Sequence, residues 1–196
     1  MRTLLLALLP ALPVLSACGD FFGDRDAHAP GTALGTFHVV GTQTANTCGE
    51  GALGATRSWA FDVELARDAG VLFWDNGASL VPGVLDEDLL SFSVEARVVV
   101  DMRTGDMPPG PPCSVERRDR VRGELGGAGR GLDDDGLDDD DVTRFEGRLS
   151  FDYAPTAGSR CEDLVVSELS VAPVFAALPC SMAYALTGTR TALPPE

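Results

Sequence analysis

The sequence LSFSVEARVVV, residues 90–100, is the stretch that decides the fold. Apolar side chains stand at every second position from Leu90 to Val100, and polar ones alternate with them as far as Arg97. Successive side chains of a β-strand point to opposite faces, so this spacing predicts a strand with one apolar face. No segment shows a convincing helical period, and the sequence therefore predicts an all-β protein.

Similar alternation continues on both sides of this strand. The predicted strands cover residues 36–46, 57–66, 71–74, 80–84, 90–100, 113–125, 143–153, 164–171 and 181–190. About eight antiparallel strands with turn signals between them favour an up-and-down barrel, and a β-sandwich is the alternative. The aromatic side chains at strand spacing are expected in the core, namely Trp59, Phe61, Phe92, Phe145 and Phe151.

The N-terminus has the order of an export signal. Arg2 precedes an apolar run from Leu4 to Val14, which is too short to span a bilayer as a helix. The motif Leu15-Ser16-Ala17-Cys18 that follows resembles the lipobox of bacterial lipoproteins. This resemblance implies a diacylglycerol on the Cys18 thiol and an acyl chain, such as palmitate, on its amine. The alternative is an ordinary signal peptide that is cut near Ala17 and leaves Cys18 as a free thiol.

The lipobox resemblance also implies a location and a domain layout. The chain would be exported and anchored to a bacterial envelope membrane through Cys18, and Gly19 after it favours the outer membrane. Residues 1–17 would be the signal peptide and residues 18–34 a lipidated N-terminus and flexible tether. We expect a single β-domain over residues 35–191 and a Pro-rich tail over residues 192–196.

The other four cysteines predict two disulfides, because an even number in an exported chain favours pairing. If the strands form an up-and-down barrel, the end of the first strand meets the start of the last, which places Cys48 beside Cys180. The end of the strand at 143–153 likewise meets the start of the strand at 113–125, which places Cys113 near Cys161. A barrel therefore selects one of the three possible connectivities.

The charge of the chain excludes some partners. It carries 15 Lys+Arg against 30 Asp+Glu, a formal net charge of -15. Nucleic acids and anionic lipid headgroups bind basic surfaces, so neither is an expected partner. All 15 of the Lys+Arg residues are arginines, which removes lysine chemistry; GC-rich codon usage also accounts for this composition.

The start of the first predicted strand and the end of the last one faintly resemble the corresponding segments of lipocalins. Gly35-Thr36-Phe37 opens the first strand where that family has Gly-x-Trp, and Arg190 stands where the family has an Arg near the end of its barrel. Phe37 replaces the tryptophan of the family pattern. The resemblance implies a cup-shaped barrel that carries a small apolar ligand.

Arg117 and Asp119 are the candidate ligand-binding residues, because they share a strand face with apolar neighbours. Two charged side chains on an inward face either satisfy one another at a barrel end or offer a polar contact to a ligand in the barrel mouth. Both interpretations remain open from the sequence.

The acidic stretch 126–141, GGAGRGLDDDGLDDDD, is a weaker candidate for a calcium site. Calcium prefers six to eight oxygen ligands, which Asp133, Asp135, Asp138 and Asp140 could supply. The spacing departs from the known calcium loops, and a solvated loop of like charges is the favoured interpretation. We therefore assign no metal.

Catalysis has little support in the sequence. The chain lacks a Gly-x-Ser-x-Gly elbow, a His-Glu-x-x-His motif and a P-loop, and no catalytic residue or cofactor is assigned. The sequence favours a lipid-anchored binding or protein-interaction module. The alternatives are a lipocalin-like carrier and, less favoured, an envelope hydrolase.

Overall fold

In the computed structural model, eight antiparallel strands pair in chain order and close into a barrel. The structure describes residues 29–52, 55–86, 90–103, 111–127, 141–165 and 174–192. The strands are β1 (Thr32–Asn46), β2 (Ser58–Asp68), β3 (Val71–Asp75), β4 (Leu80–Leu85), β5 (Ser91–Asp101), β6 (Ser114–Gly127), β7 (Val142–Pro155) and β8 (Cys180–Ala192). Because β8 also pairs with β1, the predicted up-and-down barrel is confirmed over the sandwich. Within the described residues, no helix is long and apolar enough to cross a membrane.

Three predicted boundaries or elements differ from the structure. The predicted strand at 164–171 begins in a single 3-10 turn at Glu162–Leu164, and residues 166–173 lie outside the described residues. β1 begins at Thr32, so residues 32–34, assigned above to the tether, belong to the barrel. Leu34 is fully buried, and its burial explains why the strand extends there. Ala192, assigned above to the tail, is the last residue of β8 and pairs with Thr36 of β1. The signal peptide and residues 18–28 of the tether lie outside the described residues, as do tail residues 193–196.

One end of the barrel is filled by a dry core, and we call it the closed end; β1 begins there and β8 ends there. Phe145 of β7 packs against Phe37, Trp74 and Phe92, with ring centroids 5.7 to 5.8 Å apart. Each of these side chains is at least 96% buried. Gly188 of β8 makes room for the Phe145 ring, since a Cβ there would overlap Phe145 Cε1.

The other end, where β1 ends and β8 begins, carries both disulfides; we call it the open end. The predicted pairs Cys48–Cys180 and Cys113–Cys161 are confirmed, with Cα–Cα distances of 5.0 and 5.2 Å. The two disulfides join the ends of the connector between β7 and β8 to the β1–β2 connector and to the β5–β6 connector. Phe175 of this connector is buried against Tyr153 of β7, at a ring distance of 5.5 Å. The described part of this connector around Phe175 therefore packs over part of the open end.

The barrel wall is lower at β3 and β4 than elsewhere, because these strands have only 5 and 6 residues. Among the described residues, β4 pairs with β5 only from Gly83 to Leu85. The next residue on β4 is Pro82, which has no amide hydrogen to donate to a ladder. The part of β5 nearest the open end therefore continues beyond the β3–β4 hairpin.

Candidate functional site

A cavity of about 540 Å³ occupies the interior of the barrel at the open end. Its lining is mostly apolar and continues the inward faces of the strands above the closed core. β5 contributes Val94, Ala96 and Val98, which are small side chains that leave the interior unfilled at this level. The β3–β4 turn also lines the cavity, so the opening lies above the low wall.

The turn between β3 and β4 is held by its own side chains. Asn76 Oδ1 accepts hydrogen bonds from the backbone N–H groups of Ala78 and Ser79, each at 3.0 Å. Gly77 has a φ of 78°, a left-handed conformation that favours glycine. The polar groups of Asn76 and Ser79 thus stand at the edge of the apolar cavity.

Arg117 and Asp119 of β6 line this cavity, on the inward face where the sequence pattern placed them. Arg117 Nη2 donates a hydrogen bond to Asp119 Oδ2 at 2.7 Å. The Arg117 guanidinium carbon also lies 5.3 Å from the centroid of the Phe151 ring, within cation–π distance. The two side chains therefore satisfy one another in part, and their contact with a ligand stays a prediction.

The pairing of these two side chains is incomplete. Arg117 Nε and Asp119 Oδ1 are both buried, and neither has a hydrogen-bond partner among the described residues. Leaving a buried polar group unsatisfied costs about 1–3 kcal/mol, and more for charged groups. A barrel interior selected only for stability would favour apolar side chains at these positions.

The surroundings shift the pKa of both groups. Burial raises the pKa of the Asp119 carboxyl, because desolvation outweighs the hydrogen bond and the charge of Arg117. Burial alone would lower the pKa of the Arg117 guanidinium, but the hydrogen bond to Asp119, the charge of Asp119 and the Tyr153 side chain together outweigh burial and raise that pKa. The Arg117 guanidinium therefore stays charged, and the Asp119 carboxylate is the member of the pair whose charged form burial destabilises.

An aromatic wall faces this pair across the barrel, since β2 and β6 lie four strands apart in a ring of eight. Trp59 and Phe61 of β2 stack with ring centroids 4.9 Å apart, and Trp59 lies 5.6 Å from Tyr184. Gln43 Nε2 donates a hydrogen bond of 3.1 Å to the Tyr184 hydroxyl, which fixes that ring. The cavity thus has an apolar aromatic side and a charged side.

The assignment of all five aromatics to the core is therefore corrected. Phe92 and Phe145 are buried in the closed end, whereas Trp59, Phe61 and Phe151 are only half-buried and line the cavity. The strand period shows which face points inward but does not show whether the interior is filled. The sequence did contain one signal of an unfilled interior, because the small residue Ala96 and the charged residues Arg117 and Asp119 all stand at inward positions.

The remaining sequence candidates lie elsewhere. Asp133, Asp135, Asp138 and Asp140 lie outside the described residues. Within the part of the chain that the structure describes, no group of three His, Cys, Asp or Glu side chains could hold a metal ion. Cys18 also lies outside the described residues, so its lipidation stays a prediction.

Comparison of the chain with protein-family models, with curated proteins and with solved structures found no match.

Proposed function

We propose that this protein binds a small amphipathic molecule in the cavity at the open end of its barrel. The observation that carries the proposal is an aromatic-walled cavity containing an incompletely satisfied ion pair. Ligand sites are usually concave and apolar, with a few polar groups that fix orientation, and they occur at the mouths of β-barrels. The volume lies within the range of about 300–1,000 Å³ that is typical of such sites.

The chemistry of the lining restricts the ligand class. A ring or other flat apolar body would pack against Trp59 and Phe61, and a polar group would contact Arg117 and Asp119. This pair carries no net charge, and the chain as a whole carries -15, which disfavours anions. A neutral or zwitterionic ligand with one hydrogen-bonding end fits best, and the protein would act as its carrier or receptor rather than as an enzyme.

We propose further that the protein acts on a bacterial envelope membrane, more specifically the outer membrane, held there by lipid on Cys18. The lipobox supports this, and so do two disulfides, which persist in oxidising compartments. Metabolic labelling with an alkyne analogue of palmitate tests it: wild type should be labelled and membrane-bound, and Cys18→Ser should be neither. A wild-type chain that begins with an unmodified Cys18 thiol would contradict the anchor.

Tryptophan fluorescence tests the ligand site directly, because both tryptophans of the chain, Trp59 and Trp74, line the cavity. The exported Cys18→Ser protein is titrated with the neutral apolar probe N-phenyl-1-naphthylamine. We expect saturable quenching of tryptophan emission and energy transfer to the probe. Native mass spectrometry of the same sample would reveal a co-purified ligand.

A matched pair of substitutions supplies the control. Ala96→Phe places a ring in the cavity and should abolish the saturable signal. Ala185→Phe adds the same ring at an exposed position of β8 and should leave it unchanged. Equal probe binding by both variants would contradict binding in the cavity.

A further inference from the structure

The two unpaired polar atoms of the cavity are of opposite kinds. Arg117 Nε carries an N–H group and donates, whereas Asp119 Oδ1 is a carboxylate oxygen and accepts. Both are buried without a hydrogen-bond partner among the described residues. The 2.7 Å bond from Arg117 Nη2 to Asp119 Oδ2 joins the two side chains, so the unpaired donor and the unpaired acceptor belong to one unit.

The strands on either side of β6 do not complete this unit. Asp119 lies opposite Ala96 of β5 and Phe151 of β7, and neither side chain can donate a hydrogen bond. Arg117 lies opposite Tyr153 of β7, and that phenol interacts with the guanidinium, yet Nε is still without a partner.

Two other polar side chains of the lining are engaged in their own loops. Asn76 Oδ1 accepts hydrogen bonds from the N–H groups of Ala78 and Ser79. Thr56 Oγ1 donates to the Ser58 carbonyl at 3.2 Å. The partners that the ion pair lacks must therefore come from a molecule inside the cavity, either a ligand or water.

We propose that the cavity binds an uncharged, flat ring molecule whose polar edge is an amide, as in a lactam. This inference rests on the ligand site proposed above and names the class of its ligand. The amide oxygen would accept from Arg117 Nε, and the amide N–H would donate to Asp119 Oδ1. A lactam presents both groups on the same side of a planar unit that is continuous with its ring.

The rest of the cavity fits the body of such a molecule. Trp59 and Phe61 of β2 form an aromatic surface across the barrel from β6. Phe151 extends apolar surface up to the charged groups, because its ring centroid lies 5.3 Å from the Arg117 guanidinium carbon. Flat rings pack well against aromatic side chains, so the ring would lie toward β2 with its polar edge at β6.

An amino acid zwitterion is the less suited alternative. Its carboxylate would face Arg117 and its ammonium group would face Asp119, so the signs of the charges match. Both charges would have to leave water, however, and burial already destabilises the Asp119 carboxylate and raises its pKa. An amide makes the same two contacts without a charge to desolvate.

Displacement of bound N-phenyl-1-naphthylamine from the exported Cys18→Ser protein tests the ligand class. Oxindole is a flat bicyclic lactam, 1-methyloxindole lacks its N–H group, and 5-methyloxindole keeps the N–H and carries the same methyl group on the ring. Without the N–H, the buried Asp119 acceptor stays unpaired. We therefore expect 1-methyloxindole to bind at least about tenfold more weakly than the other two lactams, and L-tryptophan to bind more weakly than oxindole.

A pair of substitutions assigns this discrimination to Asp119. In Asp119→Asn the single side-chain oxygen is expected to keep the bond from Arg117, which leaves an NH₂ group where Oδ1 stood. The lactam N–H would then meet a donor, and the affinities of oxindole and 1-methyloxindole should come within about threefold of one another. Asp152→Asn makes the same change on the outward face of β7 and should keep the difference between the lactams.

The outcomes separate this inference from the proposed ligand site. If water completes the ion pair, oxindole and 1-methyloxindole will displace the probe equally. That result, failure of oxindole to displace a bound probe, tighter binding of L-tryptophan than of oxindole, or full discrimination in a folded Asp119→Asn protein would each overturn the amide ligand while leaving the cavity as a ligand site. Absence of saturable probe binding would instead overturn the proposed function, and this inference with it.

Discussion

The two ends of the barrel are built from the same strands and have different interiors. At the closed end, rings from four strands fill the interior around Phe145. At the open end, the inward positions hold a cavity, an ion pair and half-buried aromatics, and two disulfides connect the surrounding loops. The closed end is thus stabilised by packing, whereas the open end relies more on covalent links, and its unfilled interior is available for binding.

The largest expected effect comes from removing the disulfides. Cys48–Cys180 spans 132 residues and Cys113–Cys161 spans 48. In the chain-entropy model, replacing each pair by serines should lower the free energy of unfolding by about 5 and about 4 kcal/mol respectively. Urea denaturation of the two double variants measures this. A negligible loss in either would show that packing, not covalent linkage, holds the open end.

Truncating a ring at each end sharpens the comparison. Phe145→Ala should lower the free energy of unfolding by about 3–5 kcal/mol, because it leaves a void in a dry core. Phe151→Ala should cost clearly less, since Phe151 already borders a cavity and is only half-buried. Thermal unfolding by circular dichroism compares them, and equal losses would mean that both ends are packed alike.

Adding volume should distinguish the ends in the opposite way. Gly188→Ala forces a methyl group against Phe145 and should cost about 1–3 kcal/mol. Ala96→Phe adds a much larger group but projects into the cavity, so its effect on stability should be small. Urea midpoints of the two variants check this; a larger loss for Ala96→Phe would show that the cavity is not open to added volume.

The smallest expected effect is the pH dependence of the ion pair. Since burial raises the pKa of Asp119 above its ordinary value of 3.8, the native state holds this proton more tightly than the unfolded chain. The stability that the protonated Asp119 carboxyl contributes is therefore complete below about pH 4 and is lost as the pH rises through the pKa of Asp119 in the folded state. Asp119→Asn should remove this fall while preserving the shape of the side chain.

Denaturation of wild type and Asp119→Asn at several pH values measures the difference. We expect wild type to lose stability relative to the variant as pH increases from about 4 to about 7. A wild type that gains relative stability over this interval would show that Arg117 stabilises the carboxylate more than burial destabilises it.

Much of the architecture could be predicted because it depends on local pattern. The alternation around Phe92 and Val94 gave the strands, and the strand order then paired Cys48 with Cys180. The start of β1 was misplaced because Thr32 and Ala33 are exposed and carry no alternation. The strand expected after residue 164 begins instead in a 3-10 turn at Glu162–Leu164, next to the Cys161 disulfide.

The candidate site was predicted less completely. The sequence identified Arg117 and Asp119 as inward-facing, because the side-chain period of a strand is fixed at two. It assigned Trp59 and Phe151 to the core, because burial depends on what the other strands place at the same height. Ala96 and Val98 are small, and this becomes meaningful only when they face the same space as the aromatics.

The sequence by itself determined the all-β fold, the inward faces and, through strand order, the disulfide pairs, because each follows from periodicity along one chain. Only the tertiary structure decided which end of the barrel is filled and where its wall is open. Those features depend on the register between strands and on the summed volume of side chains from distant positions. Pro82 ends the ladder between β4 and β5. The edge at Val99 is nevertheless exposed only because β4, with 6 residues, is shorter than β5, with 11.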